Sequence, residues 1–166
     1  AGFAGSAPQS DDITLMLLDI SGPAAGRGTQ RRLFPAGARL VSRVQVWLRS
    51  HLRVPEPLRS ELCLVAVEIV ANIEQHGALA RGQAVELALD ISSRAVTIEV
   101  RDSGSPFNPL TDADRAELGR DAASAAIGGL GVHLITRLSD EQHYQYREGR
   151  NILRITRYLQ PPRDEP

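Results

Sequence analysis

The residues best suited to chemistry form one stripe on an apolar segment. From Leu62 to Ala71 every side chain is apolar except Glu68. Asn72 follows one helical turn later, and Gln75 and His76 follow after another turn, so these groups share one face of a helix. A carboxylate can polarise a hydroxyl group or water, and an amide oxygen can bind Mg²⁺, which prefers oxygen ligands. A polar network that only joins helices would use the same residues, and the stripe alone favours that structural interpretation.

Two other segments carry weaker signals of a binding site. Asp102 and Gly104 directly follow an alternating strand pattern. An aspartate there can accept a hydrogen bond from an exocyclic amine, and glycine lets a flat ring approach the backbone. Further on, Gly128-Gly129-Leu130-Gly131 precedes a helical pattern, and the N–H groups of a helix N-terminus favour phosphate. Each signal has an ordinary alternative, because Asp-Ser-Gly is mostly a turn and glycine-rich loops are often only flexible.

The elements that must position these residues follow from hydrophobic periodicity. The pattern predicts helix, helix, strand, strand, loop, helix, strand, strand. The predicted bounds are about 36–53, 57–76 and 130–138 for the helices, and 84–91, 96–101, 141–147 and 151–158 for the strands. The second helix is apolar almost all round, so we predict that it is buried on every side. Antiparallel hairpins with helices on one face indicate a two-layer α+β sandwich with a mixed, mostly antiparallel sheet.

Composition excludes several classes of protein. All 19 basic residues are arginine, which excludes the lysine of a P-loop, the lysine of eukaryotic-type protein kinases and Schiff-base chemistry. Cys63 is the sole cysteine, so no intrachain disulfide or cysteine-rich zinc site is expected. The net charge of -1 gives no electrostatic case for nucleic acid, and no apolar run is long enough for a membrane helix. We therefore expect a piece of a longer cytoplasmic protein.

Taken together and in this order, the three signals resemble the Bergerat-type nucleotide-binding fold of gyrase, sensor histidine kinases and mismatch-repair ATPases. The finer pattern is similar to the anti-sigma-factor serine/threonine kinases over roughly residues 34–159. Val67–Gly77 resembles their first motif, Val100–Pro109 their second, and Gly128–Ile135 their third. The cofactors that the resemblance implies are ATP and Mg²⁺.

The resemblance also implies a role for each matching residue. Glu68 would be the catalytic base that orients the acceptor hydroxyl. Arg120, with Arg115 as the alternative, would neutralise the γ-phosphate in place of the missing lysine. The nucleotide-binding residues would be Asn72, Asp102, Gly104, Phe107, Gly128, Gly129 and Gly131.

Within that nucleotide-binding set, Asn72 would hold the Mg²⁺ and Asp102 would bind the adenine amino group, with Gly104 beneath the ring. The glycines of the third motif would bring N–H groups to the phosphates. Residues 110–127 would form a lid over ATP. Asn108 departs from the family, which usually has aspartate there.

The resemblance implies a serine/threonine kinase of a partner-switching system that phosphorylates a serine of an anti-sigma-factor antagonist. A sigma factor or an anti-sigma factor is a further candidate partner, and related kinases suggest a homodimer through the first helix with Trp47. One alternative is a non-catalytic module that binds ATP and docks a regulator. Another is a histidine-kinase catalytic domain, which is less favoured because His51 follows Arg49-Ser50 without the acidic neighbour of a phosphoacceptor.

The first part of the chain carries a second resemblance. Ser10-Asp11-Asp12-Ile13-Thr14-Leu15 is similar to the end of a bacterial PP2C-type serine phosphatase domain. We accordingly predict a residual phosphatase strand over 1–20, a glycine-rich linker over 21–33, the kinase domain over 34–160 and a disordered tail over 161–166.

Overall fold

The computed structural model describes residues 28–111 and 129–159. The strands are β1 (Gln30–Pro35), β2 (Ala84–Ile91), β3 (Ala95–Asp102), β4 (Glu141–Arg147) and β5 (Arg150–Tyr158), and the helices are α1 (Leu40–His51), α2 (Leu58–His76) and α3 (Gly129–Leu138). The predicted phosphatase strand, nearly all of the lid and the tail lie outside the described residues and stay predictions.

The five strands form one sheet in the order β1-β2-β3-β5-β4. Every pairing among these strands is antiparallel, in line with the expectation of a mostly antiparallel sheet. The α+β sandwich itself is confirmed. In residues 28–111 and 129–159, no helix is long and apolar enough to cross a membrane.

The strand β1 was not predicted, because its residues 30–33 were interpreted as linker. It pairs with β2 along its whole length, from Gln30 opposite Leu89 to Pro35 opposite Ala84. Phe34 is 2% exposed, and its ring packs edge-on against Trp47 with centroids 5.8 Å apart. A strand at the sheet edge with few apolar residues gives too weak an alternation to be recognised.

The helices cover one face of the sheet because the strands alternate. Val85, Leu87 and Leu89 of β2 point to the same side and join one buried cluster with Leu48 of α1 and Ile69 of α2. Full burial of each such side chain stabilises the fold by about 1.5–3 kcal/mol. This layer fixes α2 against the sheet, and α2 carries the polar stripe.

The prediction that α2 is buried on every side was wrong. Seven of its residues are buried, namely Leu62, Cys63, Val65, Ala66, Ile69, Val70 and Ile73. Leu64, however, is 39% exposed, and Glu68 and Asn72 are only half-buried. The helix packs against α1 and α3 as well as the sheet, but the side that carries Glu68 and Asn72 stays partly open.

The opposite face of the sheet is held by charge pairs. Glu99 is 6% exposed, and its carboxylate lies 2.5 Å from the guanidinium of Arg101 and 2.6 Å from that of Arg154. Burial raises the pKa of Glu99, but the hydrogen bonds and charges of the two arginines outweigh burial and hold its pKa below the usual value.

We expect Glu99→Gln to lower the free energy of unfolding at neutral pH by roughly 1–3 kcal/mol, because two charge-assisted hydrogen bonds are lost. A lowered folded pKa gives stability that is present above the unfolded pKa and is lost as pH falls through the folded pKa. The gap between wild type and variant should therefore close in acid. Urea unfolding at several pH values measures it. Glu86→Gln is the matched control, since its partner Arg31 is 49% exposed, and equal losses in both variants would contradict the prediction.

Candidate functional site

The polar stripe of α2 meets the first turn of α3. A Cβ atom placed on Gly131 would lie 2.7 Å from Oε2 of Glu68 and 3.9 Å from Nδ2 of Asn72. The missing side chain at Gly131 therefore leaves a small cradle between the two helices. The structure brings together three of the residues that the sequence predicted as one site.

Neither polar group in this cradle is used to join the helices. Among residues 28–111 and 129–159, Nδ2 of Asn72 is buried and has no hydrogen-bond partner. Within the same ranges, no hydrogen bond or ion pair engages the carboxylate of Glu68. A satisfied structural network, the alternative that the stripe alone favoured, is not what the described residues form. A buried polar atom without a protein partner, such as Nδ2 of Asn72, needs an explanation, and a bound water, ion or ligand supplies one.

The other end of α2 supports the loop after β3. A Cβ atom on Gly104 would lie 2.1 Å from the carbonyl oxygen of Gly77, the residue that follows α2. The N–H of Ser105 donates to that same carbonyl oxygen at 3.1 Å. Gly104 therefore has a packing reason to be glycine, in addition to the predicted approach of a ring.

Asp102 is the last residue of β3 and is 4% exposed. Its Oδ1 accepts hydrogen bonds from the Gly104 N–H and from Nδ2 of Asn151, both at 2.8 Å. In the described ranges, no donor reaches Oδ2. Burial raises the pKa of Asp102, and the two hydrogen bonds counter part of that effect. One carboxylate oxygen is thus fixed and the other is available as an acceptor.

The loop that follows is tied to both helices by Phe107. Its side chain is 6% exposed and clusters with Val132 of α3, and its ring centroid lies 5.7 Å from that of His76 at the end of α2. Next to it, Oδ1 of Asn108 accepts from the Leu110 N–H at 3.0 Å. The amide oxygen of Asn108 thus accepts a hydrogen bond within a turn, and an aspartate oxygen at this position could accept the same bond.

Asn151 is the residue that sequence reasoning missed. It lies opposite Asp102 in the register of β3 and β5 and is 3% exposed. Its side chain contacts Asp102, the backbone of Ser105 and Phe107, and the hydroxyl of Tyr144. The available signal was a polar residue at an inward-facing position of a strand whose next inward residues, Leu153 and Ile155, are apolar.

Some predicted residues cannot be placed. Arg120, its alternative Arg115 and Gly128 lie outside the described residues. Gly129 begins α3 and lies two residues before Gly131, in the same first turn. A cavity of about 320 Å³ is lined by Glu86, Arg101 and Arg150, and also by Asp102 and Ser103, so it reaches the end of β3 and the loop that follows.

The described residues fit a magnesium–nucleotide complex. The buried amide nitrogen of Asn72 has no partner among the described residues, so the amide can turn its oxygen toward a cation. Gly131 lies in the first turn of α3, where backbone N–H groups favour phosphate. Within the described ranges, Oδ2 of Asp102 accepts no hydrogen bond. Asn72 lies on α2, Gly131 in the first turn of α3 and Asp102 at the end of β3.

Comparison with known proteins defines the class. Residues 34–157 match the family described as the histidine kinase-like ATPase domain, and the chain belongs to this family. It is a kinase-type ATPase domain. Among its relatives is the serine/threonine-protein kinase BtrW of Bordetella bronchiseptica, which is 34% identical over 106 residues, 63% of this chain and 73% of that protein.

Proposed function

We propose that this chain is an ATP-dependent serine/threonine protein kinase of a partner-switching system, which phosphorylates a serine of an anti-sigma-factor antagonist. The observation that carries the proposal is the pairing of an unpartnered Glu68 and Asn72 at the glycine cradle of α3. A module that only docks a regulator has no need of a carboxylate kept without a partner there. The name of the relative BtrW supports serine or threonine as the acceptor.

The roles follow from the chemistry of each group. Glu68 would accept the proton of the substrate hydroxyl as the hydroxyl oxygen bonds to the γ-phosphorus of ATP, while the bond from that phosphorus to the bridging oxygen breaks and ADP leaves. Asn72 would hold Mg²⁺ through its amide oxygen, and the ion would supply positive charge at the phosphates. Oδ2 of Asp102 accepts from the adenine amino group. The N–H groups at the start of α3, including that of Gly131, face the phosphates.

The remaining roles rest on the sequence alone. Arg120, or else Arg115, would supply the positive charge at the γ-phosphate, and residues 110–127 would form the lid over the nucleotide, nearly all of it outside the described residues. The phosphatase resemblance of residues 10–15 implies that a phosphatase and this kinase are joined in one protein. Both statements are proposals about residues that the structure does not describe.

The test is a calorimetric titration with Mg-ATP and Mg-ADP. We expect the wild type to bind both and Asn72→Ala to bind them at least about tenfold more weakly, because a hard-cation ligand is lost. The difference in affinity between wild type and Asn72→Ala should shrink when Mg²⁺ is left out and EDTA is added. Gln75→Ala is the matched control, since Gln75 is an exposed amide on the same helix.

A second measurement tests the transfer itself. Labelled ATP is incubated with the chain and, in turn, with each anti-sigma-factor antagonist of the same organism, and phosphoserine is identified in the product. Nucleotide binding without transfer to any of them would favour the docking module. No binding of nucleotide by the wild type would contradict the proposed function as a whole.

A further inference from the structure

Asn151 joins four groups that belong to three different elements. Its Nδ2 donates to Oδ1 of Asp102 at 2.8 Å and to the carbonyl oxygen of Ser105 at 2.9 Å. Its Oδ1 accepts from the Phe107 N–H at 3.0 Å and from the Tyr144 hydroxyl at 2.7 Å. The backbone N–H of Phe107 can only donate, which fixes which end of the amide faces Asp102.

This arrangement leaves Asp102 one way to bind a ligand. Its Oδ1 already accepts from Asn151 and from the Gly104 N–H, whereas Oδ2 has no donor among the described residues. The carboxylate plane is therefore set by Asn151 on one side and by the loop on the other. A buried carboxylate that is held at one oxygen presents the second oxygen in a fixed direction.

We propose that Asn151 is a positioning residue for base recognition: it saturates Oδ1 of Asp102 so that Oδ2 faces the exocyclic amine of the purine. The inference rests on the proposed function, because it assumes that Asp102 binds adenine. Asn151 itself does not touch the nucleotide. By holding Ser105 and Phe107 as well, it sets the loop and the carboxylate in one fixed relation.

If Asn151 positions Asp102, its contribution to nucleotide affinity should depend on the amine of the base. If Asn151 only supports the fold, its loss should weaken the binding of nucleotides with and without that amine equally. We expect Asn151→Ala to lower the affinity for Mg-ATP about tenfold, since one hydrogen bond to a charged group is misaligned. The affinity for purine riboside triphosphate, which lacks the amine, should change less than about twofold. Calorimetry with both nucleotides gives the two ratios. Thr156→Val is the matched control, because it removes a side-chain contact between β5 and β3 at Thr97.

A second variant keeps the size of the side chain and changes only the donor. In Asn151→Asp the Phe107 N–H and the Tyr144 hydroxyl still have their acceptor, but a carboxylate faces Oδ1 of Asp102. Two adjacent carboxylates share a proton in acid. The affinity of this variant for ATP should therefore rise as the pH is lowered and the pair takes up a proton.

The outcomes separate the inference from the proposed function. Selective loss for ATP in Asn151→Ala, with recovery in acid for Asn151→Asp, supports the positioning role. An equal loss for both nucleotides, or no loss, overturns it, and if Asn151→Ala fails to fold, the pH profile of Asn151→Asp decides. Failure of the wild type to bind ATP at all overturns the proposed function and this inference with it.

Discussion

Replacing Glu68 by glutamine is expected to lower the rate of phosphoryl transfer roughly 10²–10⁴-fold, the usual contribution of a general base. The affinity for Mg-ATP should change little. The reason is geometric, because the carboxylate lies against Gly131 at the cradle and contacts no other polar group among the described residues. Glutamine keeps the size of the side chain but cannot take the proton of the attacking hydroxyl.

The measurement is single-turnover transfer from labelled ATP to the antagonist, with calorimetry of Mg-ATP on the same preparation. Glu74→Gln is the matched control, since Glu74 is an exposed carboxylate on the same helix. Transfer at the wild-type rate in Glu68→Gln would show that Glu68 is not the base. Loss of nucleotide binding in Glu68→Gln would instead assign the carboxylate to the binding of the nucleotide or its cation.

Local periodicity was sufficient to predict most of the fold. α1 and α2 repeat their apolar residues at helical spacing, and the strands β2 and β3 alternate cleanly because one face meets the helices. β1 was not predicted, because only Leu33 and Phe34 of its six residues are large and apolar. It is a strand because it pairs with β2, and such a long-range partner leaves no local signal.

The candidate site, too, could be predicted from local sequence only in part. Glu68 and Asn72 were found because helical spacing placed them on one face, but that they are open to a ligand depends on how α3 packs. The assumption that an apolar helix is buried all round failed at this point, because Glu68 and Asn72 are only half-buried. Gly104 and Asn151 owe their roles to contacts with residues distant in the chain, Gly77 and Asp102 respectively. Such contacts follow from the tertiary fold and the strand register.

The hydrogen bonds to Oδ1 of Asp102 make Asp102→Asn a specific test of base recognition. Oδ1 of residue 102 must remain an oxygen, because Asn151 and the Gly104 N–H both donate to it. The NH₂ group of the new amide is then forced to the Oδ2 position, where it meets the amine of adenine donor to donor. We expect the affinity for Mg-ATP to fall roughly a hundredfold, since a buried hydrogen bond becomes a repulsive contact.

The same geometry predicts how the base preference changes. Inosine triphosphate carries an oxygen acceptor where ATP has the amine, so the substitution should weaken its binding much less than that of ATP. The ratio of the affinity for ATP to the affinity for inosine triphosphate should therefore fall at least about tenfold from wild type to Asp102→Asn. Asp90→Asn on the neighbouring strand is the control.

The affinity of the wild type for ATP should also depend on pH. It should fall as pH falls through the raised pKa of Asp102, because protonation at Oδ2 removes the acceptor. The affinity of Asp102→Asn should not depend on pH in that range. A parallel loss of both nucleotides, with no change in their ratio, would mean that Asp102 holds the loop and not the base.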